Sequence, residues 1–320
     1  MIPGLGVLLP TFDPLRTGDP PRVAEAARLA EDLGFHAVWA GDHLIAPAPV
    51  LDAPACLAAA AVVTERVALG FSVMLLGLRP VAWAAKQLAT IDALAGPGRL
   101  RLGVGVGGEF PEEFAAAGVP HRRRGARLDD ALDALPDLLA GRPVRRQGRT
   151  QAFDVAPLEP APSAPPPLYV GGRSEAALAR AARVADVYLP MWLTPGAVAE
   201  RGERLAELAA AHGRPRPRLA LLAGVHVDAD RAAARAQAAA HLRGQYRLEL
   251  DRVERWTALG SADEVAEQLQ AHLDAGVDEL VLMPYGGDAL AQYERLADVG
   301  SRLTPSASPA APIPEPGAPR

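Results

Sequence analysis

The sequence has one cysteine, Cys56, one lysine, Lys86, and no asparagine. A single cysteine excludes a disulfide framework. No apolar run reaches the roughly 18 residues needed to cross a bilayer. The net charge is −5, and no Lys/Arg block stands out beyond residues 122–124, which argues against a nucleic-acid-binding face. The N-terminus, MIPGLGVLLPTFDP, has neither a cationic start nor an Ala-x-Ala cleavage site. It does not read as a signal peptide, and the expectation is a soluble cytoplasmic protein. What the chain does have is apolar content, 49% of 320 residues. That excludes wholesale disorder and suffices for one large domain or two small ones. Arginine supplies every Lys/Arg position except Lys86, in a chain rich in Ala, Gly and Pro. Such a bias fits a GC-rich genome, so arginine number carries little functional information and the lone Lys86 stands out.

Short apolar runs alternate with longer amphipathic segments. The runs span 4–10, 37–39, 67–76, 100–106, 168–170, 186–190, 218–227 and 279–284. The first, third and seventh are nearly continuous, as in strands buried on both faces. Val23, Ala26, Ala27, Ala30 and Leu33 share a helical face, with Asp19 as cap, Pro20 at the first position and Gly34 as stop. Further helices are predicted over 80–94, 124–139, 174–185 (capped by Ser174), 195–212 and 229–250. Ser261 and Glu264 form a capping box that opens a helix through Ala275. Eight strand–helix units of the α/β class predict a (β/α)8 TIM barrel, with a doubly wound open sheet as the alternative. Residues 141–167 are too long for a simple connection between helix four and strand five. They are expected to form an insertion near the barrel rim, with a hairpin at 150–155. Residues 1–303 are then the barrel domain, and the Pro/Ala-rich residues 304–320 a disordered tail.

A barrel carries its functional residues at the C-terminal ends of its strands. There Asp42 and His43 follow the second strand. A histidine at a strand end can serve as base, acid or hydrogen-bond donor near neutral pH, against the alternative of a capping Asp and a structural His. Gly171, Gly172, Arg173 and Ser174 open the fifth helix. Two glycines allow close backbone approach, and the free N–H groups of a helix start favour a phosphate; the alternative is a turn with an ordinary Ser cap. Gly103, Gly105 and Gly108 match G-x-G-x-x-G, the signature of a dinucleotide turn. They follow the fourth strand rather than the first, and Glu109, Glu112 and Glu113 would repel a pyrophosphate. In a barrel the same alternation would make room for a ligand, with Glu109 as a candidate acid or a solvated carboxylate. His226 and Asp228 share a strand face, but no third metal ligand is visible, so no metal is expected. No nucleophile elbow occurs, and Cys56, in PACLAAAAVV, reads as a small core hydrophobe.

Four segments together resemble the luciferase-like monooxygenase superfamily, which includes bacterial luciferase and the coenzyme F420-dependent oxidoreductases. They are LGFHAVWAGDH, VALGFSVMLLGLRPVAWAAKQLATIDALAGPGRLRLGVGVG, PLYVGGRSEAALARAARVADVYLP and GSADEVAEQL with AGVDELVLMP. The resemblance spans about residue 4 to residue 300 and implies a (β/α)8 barrel that binds F420 or FMN. It implies that Asp42 and His43 lie near the reactive ring. It places a non-proline cis peptide at Ser72–Val73 behind that ring, and Gly107 and Gly108 at the ring edge. Gly171, Gly172, Arg173 and Ser174 match the phosphate site. In family members with a Glu proton donor, that Glu directly follows the strand-four glycines. Here Gly108 fills the slot and Glu109 comes one residue later.

The reading so implied is an F420-dependent oxidoreductase that transfers a hydride between a small organic substrate and the deazaflavin, with His43 moving a proton. The alternative is an FMN-dependent monooxygenase using O2 and reduced flavin from a separate reductase. Remoter alternatives are an NAD-linked Rossmann enzyme and a cofactor-less binding subunit. Phe12, Met74, Trp192 and the 141–167 insertion would bound the substrate pocket, and the family suggests a homodimer. Lys86 would pair with a carboxylate near strand four, or be a chance retention.

Overall fold

A computed structural model describes residues 2–19 and 21–304. Eight parallel strands close into a ring: β1 (Ile2–Leu8), β2 (Phe35–Ala40), β3 (Ala68–Phe71), β4 (Leu100–Val104), β7 (Leu168–Gly171), β8 (Val187–Leu189), β9 (Arg218–Val227) and β11 (Glu279–Pro284), with β11 pairing back to β1. Helices α1 (Val23–Asp32), α2 (Ala53–Ala61), α3 (Val81–Ala95), α5 (Arg124–Leu139), α6 (Glu175–Val184), α7 (Pro195–Ala210), α9 (Ala262–Asp274) and α10 (Ala289–Arg302) form the outer layer. The short α4 (Pro111–Ala116) and the long α8 (Arg231–Tyr246) lie in loops after β4 and β9. The expected barrel is therefore the observed one, and the closed ring removes the open-sheet Rossmann alternative.

Local details depart from the sequence pattern for physical reasons. α1 begins at Val23, with Arg22 rather than Asp19 preceding it and no side-chain cap. The capping box of Ser261 and Glu264 is present. A ninth parallel strand, β10 (Thr257–Gly260), pairs with the upper half of β9, whose lower end pairs with β8. Its four residues TALG are too short to show a period in the sequence. No helix among the described residues is long and apolar enough to cross a membrane. The tail predicted from residue 304 falls, after Thr304, outside the described residues.

The insertion contains an antiparallel hairpin of β5 (Val144–Gln147) and β6 (Ala152–Val155). It packs on the outer helices rather than over the barrel mouth. The Asp130 carboxylate of α5 accepts from the N–H groups of Arg149 (2.9 Å) and Thr150 (2.7 Å), and Asp92 of α3 accepts from the Ser163 N–H (2.9 Å). A segment joining a helix end to a strand start belongs at the face opposite the active site. No residue of 141–167 lines the mouth cavity. Lys86 is used here too: it donates to the backbone carbonyl of Glu159, not to a carboxylate near strand four.

Large side chains fill the barrel interior where neighbouring strands lack a Cβ. A Cβ on Gly6 would stand 2.5 Å from the Trp39 indole, and one on Gly70 2.1 Å from it. Trp39 meets Tyr169 edge-on at 5.1 Å. Below them Glu279 is buried and accepts from the Tyr169 hydroxyl (3.0 Å), with His36 Nε2 at 3.1 Å. Burial alone would push the Glu279 carboxyl up. His36, the Tyr169 hydroxyl and the Arg218 guanidinium outweigh that and hold it below its ordinary value.

Glu279→Ala is accordingly expected to lose about 3–5 kcal/mol of unfolding free energy at neutral pH, because partners buried for a carboxylate are left without it. A carboxyl with a lowered pKa stabilises fully above its unfolded value of about 4.3, and that contribution fades as pH falls through the lowered value. Urea titrations of the two proteins should differ most at neutral pH and converge in acid; a gap independent of pH contradicts this account.

Candidate active site

The barrel mouth holds a cavity of about 1040 Å³ at the C-terminal ends of the strands. Its floor comes from the residues after β3. The Ser72–Val73 peptide is cis, and both residues line the cavity. The Val73 side chain lies where Cβ atoms on Gly105 (2.4 Å) and Gly171 (2.9 Å) would be, while one on Gly103 would meet the Phe71 carbonyl oxygen at 2.0 Å. The alternating glycines of β4 thus seat Val73 and leave no dinucleotide turn. Side chains alternate along this segment, so Val73 and Leu75 face the cavity while Met74 turns into the outer core, fully buried and bridged to Val104. The expected pocket role of Met74 is therefore corrected; Phe12 and Trp192 do line the cavity.

Asp42 and His43 follow β2 and diverge in their roles. Asp42 is buried, and its carboxylate accepts from the Leu75 N–H (2.8 Å) and from Arg79 Nη2, 2.7 Å from both oxygens. It thereby ties the end of β2 to the segment that carries Val73. His43 lies between the rings of Phe110 (4.9 Å) and Phe12 (6.0 Å). Its Nδ1 is 3.1 Å from Oε2 of Glu113, a fully buried carboxylate of α4 that also accepts from the Leu44 N–H at 3.3 Å. A carboxylate only accepts, so His43 Nδ1 carries the proton and donates it. Nε2 of the neutral ring is then a lone-pair acceptor, with no protein partner among the described residues.

Glu113 is the partner of His43 that sequence reasoning missed. It appeared in the sequence only as one of several acids after the strand-four glycines. It lies beside Phe114 on the buried face of α4, whereas Glu112, one residue earlier, is exposed. Glu109 lies on the exposed rim of the cavity with no hydrogen bond to its side chain. Gly107 lines the cavity, whereas Gly108 does not: a Cβ there would meet Arg124 Nε at 2.8 Å. Of the two glycines expected at the ring edge, Gly107 lies on the cavity and Gly108 does not.

The start of α6 closes another side of the mouth. Gly171, Gly172 and Arg173 line the cavity. Gly172 adopts φ +117°, a backbone that favours glycine. Ser174 caps the helix, accepting from the Ala177 N–H at 3.2 Å, and does not line the cavity. The Tyr188 hydroxyl donates to the Gly172 carbonyl (2.8 Å), which fixes the turn. Arg173 lies 5.4 Å from the ring centre of Trp192 and 5.6 Å from that of Trp256. Glycine backbone, a helix N-terminus and a guanidinium in one place suit a phosphate. His226, by contrast, is bound through Nδ1 to the Tyr285 carbonyl (2.8 Å), and no group of three metal-binding side chains occurs among the described residues.

Comparison with known proteins follows the same lines. An F420-dependent glucose-6-phosphate dehydrogenase of Beutenbergia cavernae is 32% identical over 309 residues, covering 84% of this chain and 89% of that protein. An uncharacterized protein of Mycobacterium tuberculosis is 37% identical over 136 residues, 42% of this chain and about half, 46%, of its own length. Among solved structures, an F420-dependent secondary alcohol dehydrogenase in complex with an F420-acetone adduct superposes with TM-score 0.80 at 21% identity, covering 95% of this chain and all of that one. The monooxygenase RslO1 from Streptomyces bottropensis gives TM-score 0.80 at 24% identity, covering 93% and 98%. These two structures share the fold. The luciferase-like monooxygenase family model matches residues 5–279, and the chain belongs to that family.

Proposed function

We propose that the chain is an F420-dependent oxidoreductase acting on a small organic substrate, with His43 as its catalytic proton-transfer residue. The observation that carries this reading is the His43–Glu113 pair. It presents a free imidazole Nε2 to a cavity whose floor and helix N-terminus fit a flat ring and a phosphate. Ser72, Val73 and Gly107 would lie against the ring, and Gly171, Gly172 and Arg173 at the start of α6 would hold the phosphate. When bound, the deazaflavin supplies a two-electron hydride donor or acceptor. The relative matched over 84% of this chain is F420-dependent, which favours the deazaflavin over FMN.

The protein's own part is positioning and proton handling. Nε2 of His43 takes the hydroxyl proton of an alcohol substrate, or returns it in the reverse direction. The buried Glu113 carboxylate holds the ring in that tautomer and stabilises its charged form. Asp42 acts at one remove, fixing the Val73 segment through Leu75 and Arg79. The setting we propose is the cytoplasm, as a homodimer. Trp83 and Leu94 stand exposed about three turns apart on one face of α3 and would suit a second copy.

His43→Ala should retain F420 binding while kcat falls by roughly 10²–10⁴; unchanged turnover removes the catalytic assignment. In Glu113→Gln the amide oxygen can accept the same hydrogen bond without the charge. That change should lower kcat about tenfold with little change in KM; a loss confined to KM points to a merely structural role. Gly172→Asp would place a carboxylate at the phosphate position in a backbone that disfavours it. F420 affinity should fall by at least about tenfold, as expected for a like charge at an anion site, and retained affinity would put the phosphate elsewhere.

A further inference from the structure

Arg173 is the one charged side chain at the glycine turn before α6, and no carboxylate holds it. It is exposed and lines the cavity, and among the described residues it makes no hydrogen bond or ion pair. Glu175, two residues further on in the first turn of α6, is taken by Arg201 at 3.0 Å. The later arginines of the same helix differ: Arg180 and Arg183 both grip Asp129.

Two indoles stand where an acid would be expected. The Arg173 guanidinium carbon lies over the rings of Trp192 (5.4 Å) and Trp256 (5.6 Å). The two rings are nearly parallel, 18° apart, with centres separated by 6.4 Å. Trp192 follows β8 and lines the cavity, and its ring is braced edge-on by Tyr246 at 5.5 Å. Trp256 ends the Glu254–Trp256 turn before β10 and does not line the cavity. That turn is itself fixed. The Thr257 hydroxyl donates to the Glu254 carbonyl (2.8 Å), Arg235 of α8 pairs with the Glu254 carboxylate, and Arg255 covers the Trp256 ring at 4.4 Å. Trp256 has no part in the site as described so far.

The choice of partner has an electrostatic consequence. A carboxylate would orient the guanidinium by neutralising it, and an incoming phosphate would have to displace that acid. An indole face attracts a cation through its quadrupole and leaves the full charge in place. A long side chain already held in position also loses less freedom when an anion arrives. The need is acute here, because carboxylates of Asp13, Asp19, Glu109 and Asp288 line the same cavity. Its other arginine, Arg22, is engaged by Glu25 through Nε at 2.6 Å. Arg173 is thus the cavity's one guanidinium without an acidic partner among the described residues.

We propose that Trp256, behind the mouth, is a positioning residue for cofactor binding: with Trp192 it holds Arg173 in place and uncompensated for the cofactor's phosphate. This deepens the proposed function and rests on it for the identity of the anion. The test is titration of the full chain with F420, read by the fluorescence of F420 itself. Trp256→Leu should weaken F420 binding by about 3–10-fold, the worth of a partly exposed cation–π contact and of one ordered side chain. Trp256→Phe keeps a ring face and should stay within about twofold of the unaltered chain. Arg173→Ala should cost at least as much as Trp256→Leu, and adding Trp256→Leu to Arg173→Ala should cost nothing more, because the indole acts only through the guanidinium. An indole that merely fills space would be replaced as well by Leu as by Phe, and its loss would add to that of Arg173. Circular dichroism melts establish that each variant is folded, with Trp256→Gln taking the place of Trp256→Leu should the latter not fold. F420 affinity unchanged in the folded variant, or a loss that persists undiminished in the Arg173→Ala background, overturns the positioning role alone, since the unaltered chain still binds F420. Absence of F420 binding by the unaltered chain defeats the parent reading, and the positioning role with it.

Discussion

The site depends on one steric constraint: the Val73 side chain occupies space that a Cβ on Gly105 or Gly171 would need. Two neighbouring strands, β4 and β7, give up side chains so that the end of β3 can lean inward over the barrel. Below Val73 the interior is solid, with Trp39 set against Gly6 and Gly70 and touching Tyr169. Above it the mouth is open. The same packing that closes the barrel therefore decides where the cavity floor lies, and Asp42 fastens that floor by gripping Leu75 and Arg79.

Buried carboxylates recur through the barrel, and each is matched to a different partner. Glu279 is satisfied deep in the barrel by His36 and Tyr169, and Asp42 near the mouth by Arg79 and a backbone N–H. Glu113 has one oxygen on His43 and Leu44 while the other, Oε1, lacks a partner. Glu279 thus stands fully engaged inside the barrel, while Glu113 keeps one oxygen free beside His43.

Much of the fold could be read in the chain. The runs at 218–227 and 279–284 coincide with β9 and β11, and the helix at 124–139 with α5, because long segments carry a clear period. β10 could not be read, since four residues hold no period and it forms by pairing with the free upper edge of β9. At the site, Asp42, His43, Gly171 and Gly172 were visible as residues at strand ends. Their partners were not. Glu113 lies 70 residues from His43, and Arg79 37 from Asp42, so only the closed ring brings them together. The glycines of β4 misled in one respect, because their alternation reflects a seat for Val73 more than space for a ligand. Met74 and Gly108 failed by a single position each, at a segment where one step along the chain reverses the direction of the side chain.

Whether this mouth holds a deazaflavin beside His43 is tested most directly by a pair of fluorescence titrations of the purified full chain, one with F420 and one with FMN. Saturable binding of F420 is expected, with weaker or no binding of FMN. Tight binding of FMN without F420 would contradict it in favour of a flavin monooxygenase, and binding of neither would leave a barrel that works without a flavin-type cofactor.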